Sequence, residues 1–107
     1  MFDYKSIETR INIECRGVNE TKESLIVRGT TKFECTLLHK RYEFTFKQLY
    51  PNKIRIDVSD YGLTKEKEDG TMSLLDKVKC YTLDKGSTIK LCTQSMDHVE
   101  SVIISWE

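Results

Sequence analysis

Four cysteines, Cys15, Cys35, Cys80 and Cys92, offer the widest range of chemistry in this sequence. They are separated by 20, 45 and 12 residues, so none forms the close C-x-x-C pair from which structural zinc sites are usually built. Cys15 and Cys35 fall on the apolar side of alternating segments, where a free cysteine packs as a small hydrophobic residue. We therefore expect reduced thiols in the core, with disulfides and then metal binding as the alternatives.

Acid–base groups that could support catalysis are few. Both histidines, His39 and His98, lie in polar segments typical of exposed turns. Asp57 and Asp60 flank the end of a predicted strand and form the best carboxylate pair for a small hydrolase, to which a histidine or a cysteine could contribute. Aspartates at strand ends are common turn formers, however, so a structural role is favoured for both. We predict that the protein is not an enzyme, and we keep a small hydrolase as the second alternative.

Motifs for nucleotide, metal and acyl-transfer chemistry are absent from the sequence. It contains no G-x-x-x-x-G-K-[ST], G-x-G-x-x-G, H-E-x-x-H or G-x-S-x-G segment. The five glycines occur singly, so no glycine-rich loop is present to surround a phosphate. We predict no cofactor, no metal site and no catalytic residue.

The charged residues are unevenly distributed, although the 17 basic and 17 acidic side chains cancel. Residues 22–55 hold eight Lys or Arg against three Glu, whereas residues 56–107 hold six against ten acidic residues. Such a basic region can bind an acidic surface of another protein, and the opposed charges would also suit a homodimer. The predicted contact residues are Arg28, Lys32, Lys40, Arg41, Lys47, Lys53 and Arg55.

Aromatic residues lie in the same basic segment, a combination with which small β-barrels bind single-stranded nucleic acid. Tyr42, Phe44 and Phe46 share the parity of the apolar positions around them, which favours burial in the core. A nucleic-acid binder would therefore need Tyr42 or Tyr50 to be exposed. Binding of single-stranded nucleic acid is the first alternative to protein binding.

The elements that must position these residues are predicted to be β-strands. The sequence contains no alanine, and its 26 Ile, Val and Thr residues suit a pleated surface. Apolar and polar residues alternate in several segments, and Gly29 marks a bulge or a sharp bend within the longest one. Predicted strands cover 7–16, 25–38, 42–47, 54–59, 81–83, 89–93 and 99–106.

These segments predict an all-β or β-dominated α+β fold. We expect residues 1–107 to form one domain, a small antiparallel meander barrel or sandwich of about seven strands. Residues 60–71 interrupt the alternation and suggest a solvated loop. The spacing of Leu74, Leu75 and Val78 favours at most one short helix near 72–80, although a strand there is the alternative.

Size, fold and location lead to the functional hypothesis. No segment approaches the roughly 20 consecutive apolar residues of a membrane span, and the first five residues lack the features of a secretory signal. We therefore expect a cytoplasmic protein without membrane association. Small β-domains without catalytic motifs often mask a surface of another protein, so we predict a protein-binding module such as an inhibitor, an immunity-type protein or an accessory protein. This step rests on analogy in fold and size.

Overall fold

The strands account for most of the chain that the structure describes, namely residues 8–17, 20–60, 62–66, 79–93 and 98–107 of a computed structural model. No helix occurs in these ranges. The helix expected near 72–80 falls almost entirely outside them, and Cys80 already begins a strand. The strands are β1 (Thr9–Arg16), β2 (Thr21–Val27), β3 (Thr30–Leu37), β4 (Lys40–Tyr50), β5 (Lys53–Val58), β6 (Leu63–Lys65), β7 (Cys80–Asp84), β8 (Thr88–Thr93) and β9 (Ser101–Ser105).

Two antiparallel sheets build the molecule. The first sheet has the order β2-β1-β9-β8-β6, and the second has the order β3-β4-β5-β7. This confirms the predicted all-β fold, a small sandwich with barrel-like character. The second sheet starts as a simple meander through β3, β4 and β5, whereas β1 pairs with β9 from the far end of the sequence. Nine strands are present in the described residues, against the seven expected.

Part of this difference lies at Gly29. The predicted long strand 25–38 is divided into β2 and β3, which belong to different sheets. Gly29 has a φ of 69°, a left-handed conformation that glycine adopts without steric cost, and its carbonyl oxygen accepts a hydrogen bond of 3.0 Å from the Gln48 N–H. The alternation continues through this corner because both strands turn their apolar residues toward the same interior.

The core lies between the two sheets and is filled by alternate residues of each strand. Phe44 and Phe46 of β4 are fully buried, and each such side chain contributes about 1.5–3 kcal/mol to the free energy of unfolding. A buried polar contact also joins the sheets, since the Thr9 hydroxyl donates to Gln48 Oε1 at 2.8 Å. The other largest buried side chains are Ile11, Ile13, Leu37, Ile54, Ile56, Leu63, Leu83, Leu91 and Ile104.

Candidate functional site

The outer face of the second sheet carries most of the predicted contact residues. Along β4 and β5 the side chains alternate between the core and solvent, so Lys47 and Arg55 point outward between buried neighbours. The strand register places Lys47 directly opposite Arg55 and Thr45 directly opposite Asp57. We call the solvent-facing side of β3, β4, β5 and β7 the outer face; its charged residues include Lys32, Glu34, Arg41, Glu43, Lys47, Arg55 and Asp57.

Ion pairs neutralise several of these cations. Arg55 Nε lies 3.1 Å from Asp57 Oδ2, and Lys32 Nζ lies 3.4 Å from Glu43 Oε1. The carboxylate beside Arg55 accepts its hydrogen bond and raises the pKa of the guanidinium. These pairs are exposed to water and contribute little to stability, so a carboxylate of a partner protein can replace the internal one.

Lys47 differs from its neighbours because it forms no ion pair with any residue that the structure describes. Its cross-strand neighbour Arg55 has the same charge. Like charges directly opposite each other on a sheet are unfavourable, and an acidic partner would relieve this repulsion. Lys47 is therefore the least neutralised cation of the outer face.

Tyr50 lies at the end of the same face and is 58% exposed. The register of β4 and β5 shifts between Gln48 and Tyr50, so Tyr50 pairs with Lys53 and shares the outward side of that residue. Its backbone is held in place, because the Gln48 side-chain amide donates to the Tyr50 carbonyl oxygen. We call the exposed ring and its three neighbouring cations the Tyr50 patch; it consists of Lys47, Tyr50, Lys53 and Arg55.

The seven predicted contact residues are thus only partly brought together. Lys32 and Arg41 lie on the outer face but away from the Tyr50 patch, and the nearest partner of Arg41 is Glu34. Arg28 lies at the corner between the sheets and pairs with Glu8. Lys40 is at the opposite end of β4 from Tyr50, where its Nζ is 2.8 Å from Asp60 Oδ2 and 5.5 Å from the centre of the Tyr42 ring.

The aromatic residues of the basic segment behave as the alternation predicts. Tyr42, Phe44 and Phe46 are buried, and Phe33 is half-buried against Phe44 with the ring centres 6.4 Å apart. Tyr42 therefore offers no surface on which a base could stack. Among the aromatic residues of the described segment 22–55, Tyr50 is the one that is exposed.

The hydrolase candidates occupy different positions. Asp57 lies on the outer face beside Arg55, and Asp60 is held by Lys40. His39 lies in the exposed turn between β3 and β4, as expected. His98 is also exposed. Each aspartate lies next to its own cation, so both act as ion-pair partners.

The cysteines are all free thiols. Cys15 is buried in the core and Cys35 is half-buried against it, in agreement with their predicted positions. Burial raises the pKa of Cys92, and burial together with the nearby Asp57 carboxylate raises that of Cys80. Among the described residues, no three His, Cys, Asp or Glu side chains form a group that could bind a metal ion.

A shallow depression crosses the outer face of the first sheet. It is open to solvent and is lined mainly by polar residues of β1, β2 and β9. Within it the Ser24 hydroxyl donates to Asn12 Oδ1 at 3.1 Å. Its lining residues are Asn12, Ile13, Glu14, Lys22, Glu23, Ser24, Ile103 and Ser105.

Comparison with known proteins gives no relative for this chain. No protein family, curated protein or solved structure matches it. In the described ranges, no helix is long and apolar enough to cross a membrane. The Tyr50 patch, with its exposed ring and its three cations, is the feature of the described surface that best suits a binding partner.

Proposed function

We propose that this protein is a non-enzymatic protein-binding module that docks an acidic surface of a partner protein on the Tyr50 patch. It acts in the cytoplasm by masking that surface, as an inhibitor, an immunity-type protein or an accessory protein does. The observation that carries the proposal is the 58% exposed Tyr50 ring among Lys47, Lys53 and Arg55.

The residue types of the patch favour a protein partner. Tyrosine and arginine are enriched among the residues that contribute most to protein–protein binding. A tyrosine side chain has few rotatable bonds, so ordering it on binding costs little conformational entropy. Tyr50 also stands on a strand whose end is fixed by Gln48, which favours a rigid contact surface.

The cations of the patch supply electrostatic complementarity. Lys47 and Arg55 lie directly opposite each other on β4 and β5, so their positive charges repel. A carboxylate from an acidic partner would attract both cations and reduce this repulsion. Such charges mainly accelerate association and exclude basic partners. We therefore expect the association rate to fall as the salt concentration rises.

Photo-cross-linking at position 50 tests the proposal in cells that naturally express the protein. A photoreactive phenylalanine analogue replaces Tyr50 in one variant and Ser24 in a control, because Ser24 lies on the outer face of the first sheet. We expect one protein adduct at position 50 that survives nuclease and is absent at position 24. Equal adducts at the two positions would remove the Tyr50 patch from consideration, and an adduct with a second copy would indicate a homodimer instead.

Affinity for the cross-linked partner is then measured with three variants. Tyr50→Ala and the charge reversal Lys47→Glu should each weaken binding by about tenfold or more, since each removes a central contact of the patch. Lys22→Glu is the matched control, because it reverses an exposed lysine on the first sheet. Binding that is equally strong in all three variants would contradict the proposal.

Single-stranded nucleic acid is the second candidate, and the exposed Tyr50 ring beside three cations favours it. Base stacking on one aromatic ring contributes about 1–3 kcal/mol per base. Binding of a fluorescent oligo-thymidine to the protein decides between the candidates. Affinity that falls steeply with salt and is lost in Tyr50→Ala would move the assignment to nucleic acid.

A further inference from the structure

Two of the four cysteines meet in the interior although they belong to different sheets. Cys15 is on β1 of the first sheet and Cys35 is on β3 of the second. Cys15 is part of the buried core and Cys35 packs against that core from the opposite sheet, where the two thiols share a hydrogen bond. The other two cysteines lie apart from this pair: Cys80 is exposed on β7 opposite Asp57, and Cys92 is buried on β8 opposite Thr64.

The thiol pair lies where the sandwich is incompletely closed. β2 and β3 are edge strands of the two sheets, and their inward residues near the pair are only partly covered. Thr21, which pairs with Cys15, and Glu23 are exposed, while Phe33 and Cys35 are half-buried. The half-buried Cys35 therefore marks the side from which a molecule as small as hydrogen peroxide would approach the pair.

The surroundings of Cys15 favour its thiolate form, which is the reactive species. The Cys35 S–H donates a hydrogen bond to the Cys15 sulfur, and the Thr21 hydroxyl donates a second one. These bonds lower the pKa of Cys15 to about 7, although burial and the Glu23 carboxylate oppose them. The same hydrogen bond raises the pKa of Cys35, because the Cys35 thiol holds the shared proton, and burial raises it further.

We propose that Cys15 and Cys35 are a reversible oxidation site, at which a peroxide joins the two sheets through an intersheet disulfide. The Cys15 thiolate attacks one peroxide oxygen, the S–O bond forms, the O–O bond breaks, and the hydroxide that leaves takes up a proton as water. Cys35 then attacks the sulfur of the resulting sulfenic acid, the S–S bond forms, and the S–O bond breaks with release of a second water. The two thiols lose two electrons and two protons, and the peroxide is reduced by two electrons. The inference is independent of the Tyr50 patch.

The folded wild-type protein is treated with hydrogen peroxide, its remaining thiols are alkylated, and its peptides are mapped by mass spectrometry without reduction. We expect the intact mass to fall by two hydrogens before alkylation, and a linked peptide to contain Cys15 and Cys35. Dithiothreitol should restore both thiols. In Cys35→Ser the sulfenic acid of Cys15 has no thiol to attack it, so dimedone should label position 15.

The melting temperature provides a second readout. A disulfide restricts the unfolded chain, so peroxide should raise the melting temperature of wild type by about 5–10 °C. Cys80→Ser and Cys92→Ser are the controls and should retain this rise, whereas Cys15→Ser and Cys35→Ser should lose it. The proposal is overturned if Cys15 and Cys35 remain alkylatable in the treated wild-type protein, or if they become linked only in denaturant. That mapping uses the wild-type chain, so it is decisive even where a serine variant folds poorly.

Discussion

The carboxylate of Glu100, which is buried just before β9, accepts a hydrogen bond of 2.7 Å from the backbone N–H of Leu38 in the turn between β3 and β4. Leu38 and His39 have φ values of 49° and 63°, so the two-residue turn has the left-handed geometry that glycine and asparagine prefer. Glu100 is itself fixed, because its N–H donates to the Thr93 hydroxyl at 3.0 Å. One buried carboxylate thus links a strained turn of the second sheet to the first sheet.

Removing this carboxylate should destabilise the protein. Glu100→Ala leaves the Leu38 N–H without its acceptor, and we expect a loss of about 1–3 kcal/mol in the free energy of unfolding. Glu100→Gln keeps an oxygen acceptor and should lose less. Urea denaturation measures both, with exposed Glu20→Ala as the control. A loss in Glu100→Ala no larger than that in the control would contradict the role assigned to this residue.

The left-handed backbone predicts opposite changes in stability for substitutions at two exposed positions, His39 and Gly86. His39→Gly places glycine at a φ of 63° and should stabilise the protein by about 1 kcal/mol, because a left-handed conformation is costly for other residues. Gly86→Ala introduces the same cost at a φ of 87°, where a new Cβ would meet no atom within 4 Å, and should destabilise it by about as much. Thermal unfolding of the two variants beside wild type checks the signs. Shifts of the melting temperature in the same direction would contradict the prediction that the left-handed backbone determines the effect of these substitutions.

The Cys15–Cys35 pair predicts a pH dependence of stability. In the native state the first proton leaves this pair more easily, since the pKa of Cys15 is lowered to about 7, whereas the thiols of an unfolded chain have a pKa of about 8.5. Between these two pKa values the unfolded state therefore binds more protons than the native state. The contribution of the pair to the free energy of unfolding should rise with pH in this interval. Above the interval it should fall, because the pKa of Cys35 is raised and the native state keeps a proton that the unfolded chain releases.

Urea denaturation at about pH 6.5 and about pH 8 measures this contribution under reducing conditions. The quantity of interest is the difference between wild type and Cys15→Ser/Cys35→Ser at each pH, so that other titrating groups cancel. We expect the difference to shift in favour of wild type at the higher pH. A difference that is constant, or that shifts toward the double variant, would show that the thiols titrate independently.

Lys47→Glu should separate stability from binding. The new carboxylate would face Arg55 directly and replace a repulsive cross-strand pair with an attractive one, so the melting temperature should rise slightly. Binding of the acidic partner should weaken by about tenfold or more, because the patch loses its least neutralised cation. Lys47→Gln removes the repulsion without adding attraction and should lie between wild type and Lys47→Glu in both measurements. A fall in melting temperature for Lys47→Glu would contradict the register argument.

Local features of the fold follow from the sequence because they depend on neighbouring residues. Alternation correctly predicts that Tyr42, Phe44 and Phe46 are buried, and Gly29 correctly marks a bend. Strand pairing is a long-range property, so the alternation of 25–38 does not reveal that its two halves join different sheets. The contact between Cys15 and Cys35 depends on that same assignment.

The Tyr50 patch shows the same limit within one hairpin. Strict alternation from Tyr42 to Gln48 would turn Tyr50 toward the core, but the register shift after Gln48 turns it outward beside Lys53. The extra residue of a bulge has no distinct sequence signature here. The basic character of the segment is visible in its composition, whereas the ion pairs that neutralise Arg55 and Lys32 depend on cross-strand and neighbouring geometry.

The position of β9 in the middle of the first sheet has a consequence for synthesis on the ribosome. β1 and β8 both require β9 as their neighbour, so the first sheet stays divided until the chain beyond residue 100 has been made. The four strands of the second sheet are complete once β7 has emerged. The apolar sides of β1 and β2 must therefore wait for a late partner, and this interval is when the nascent chain is most exposed to aggregation and to chaperones.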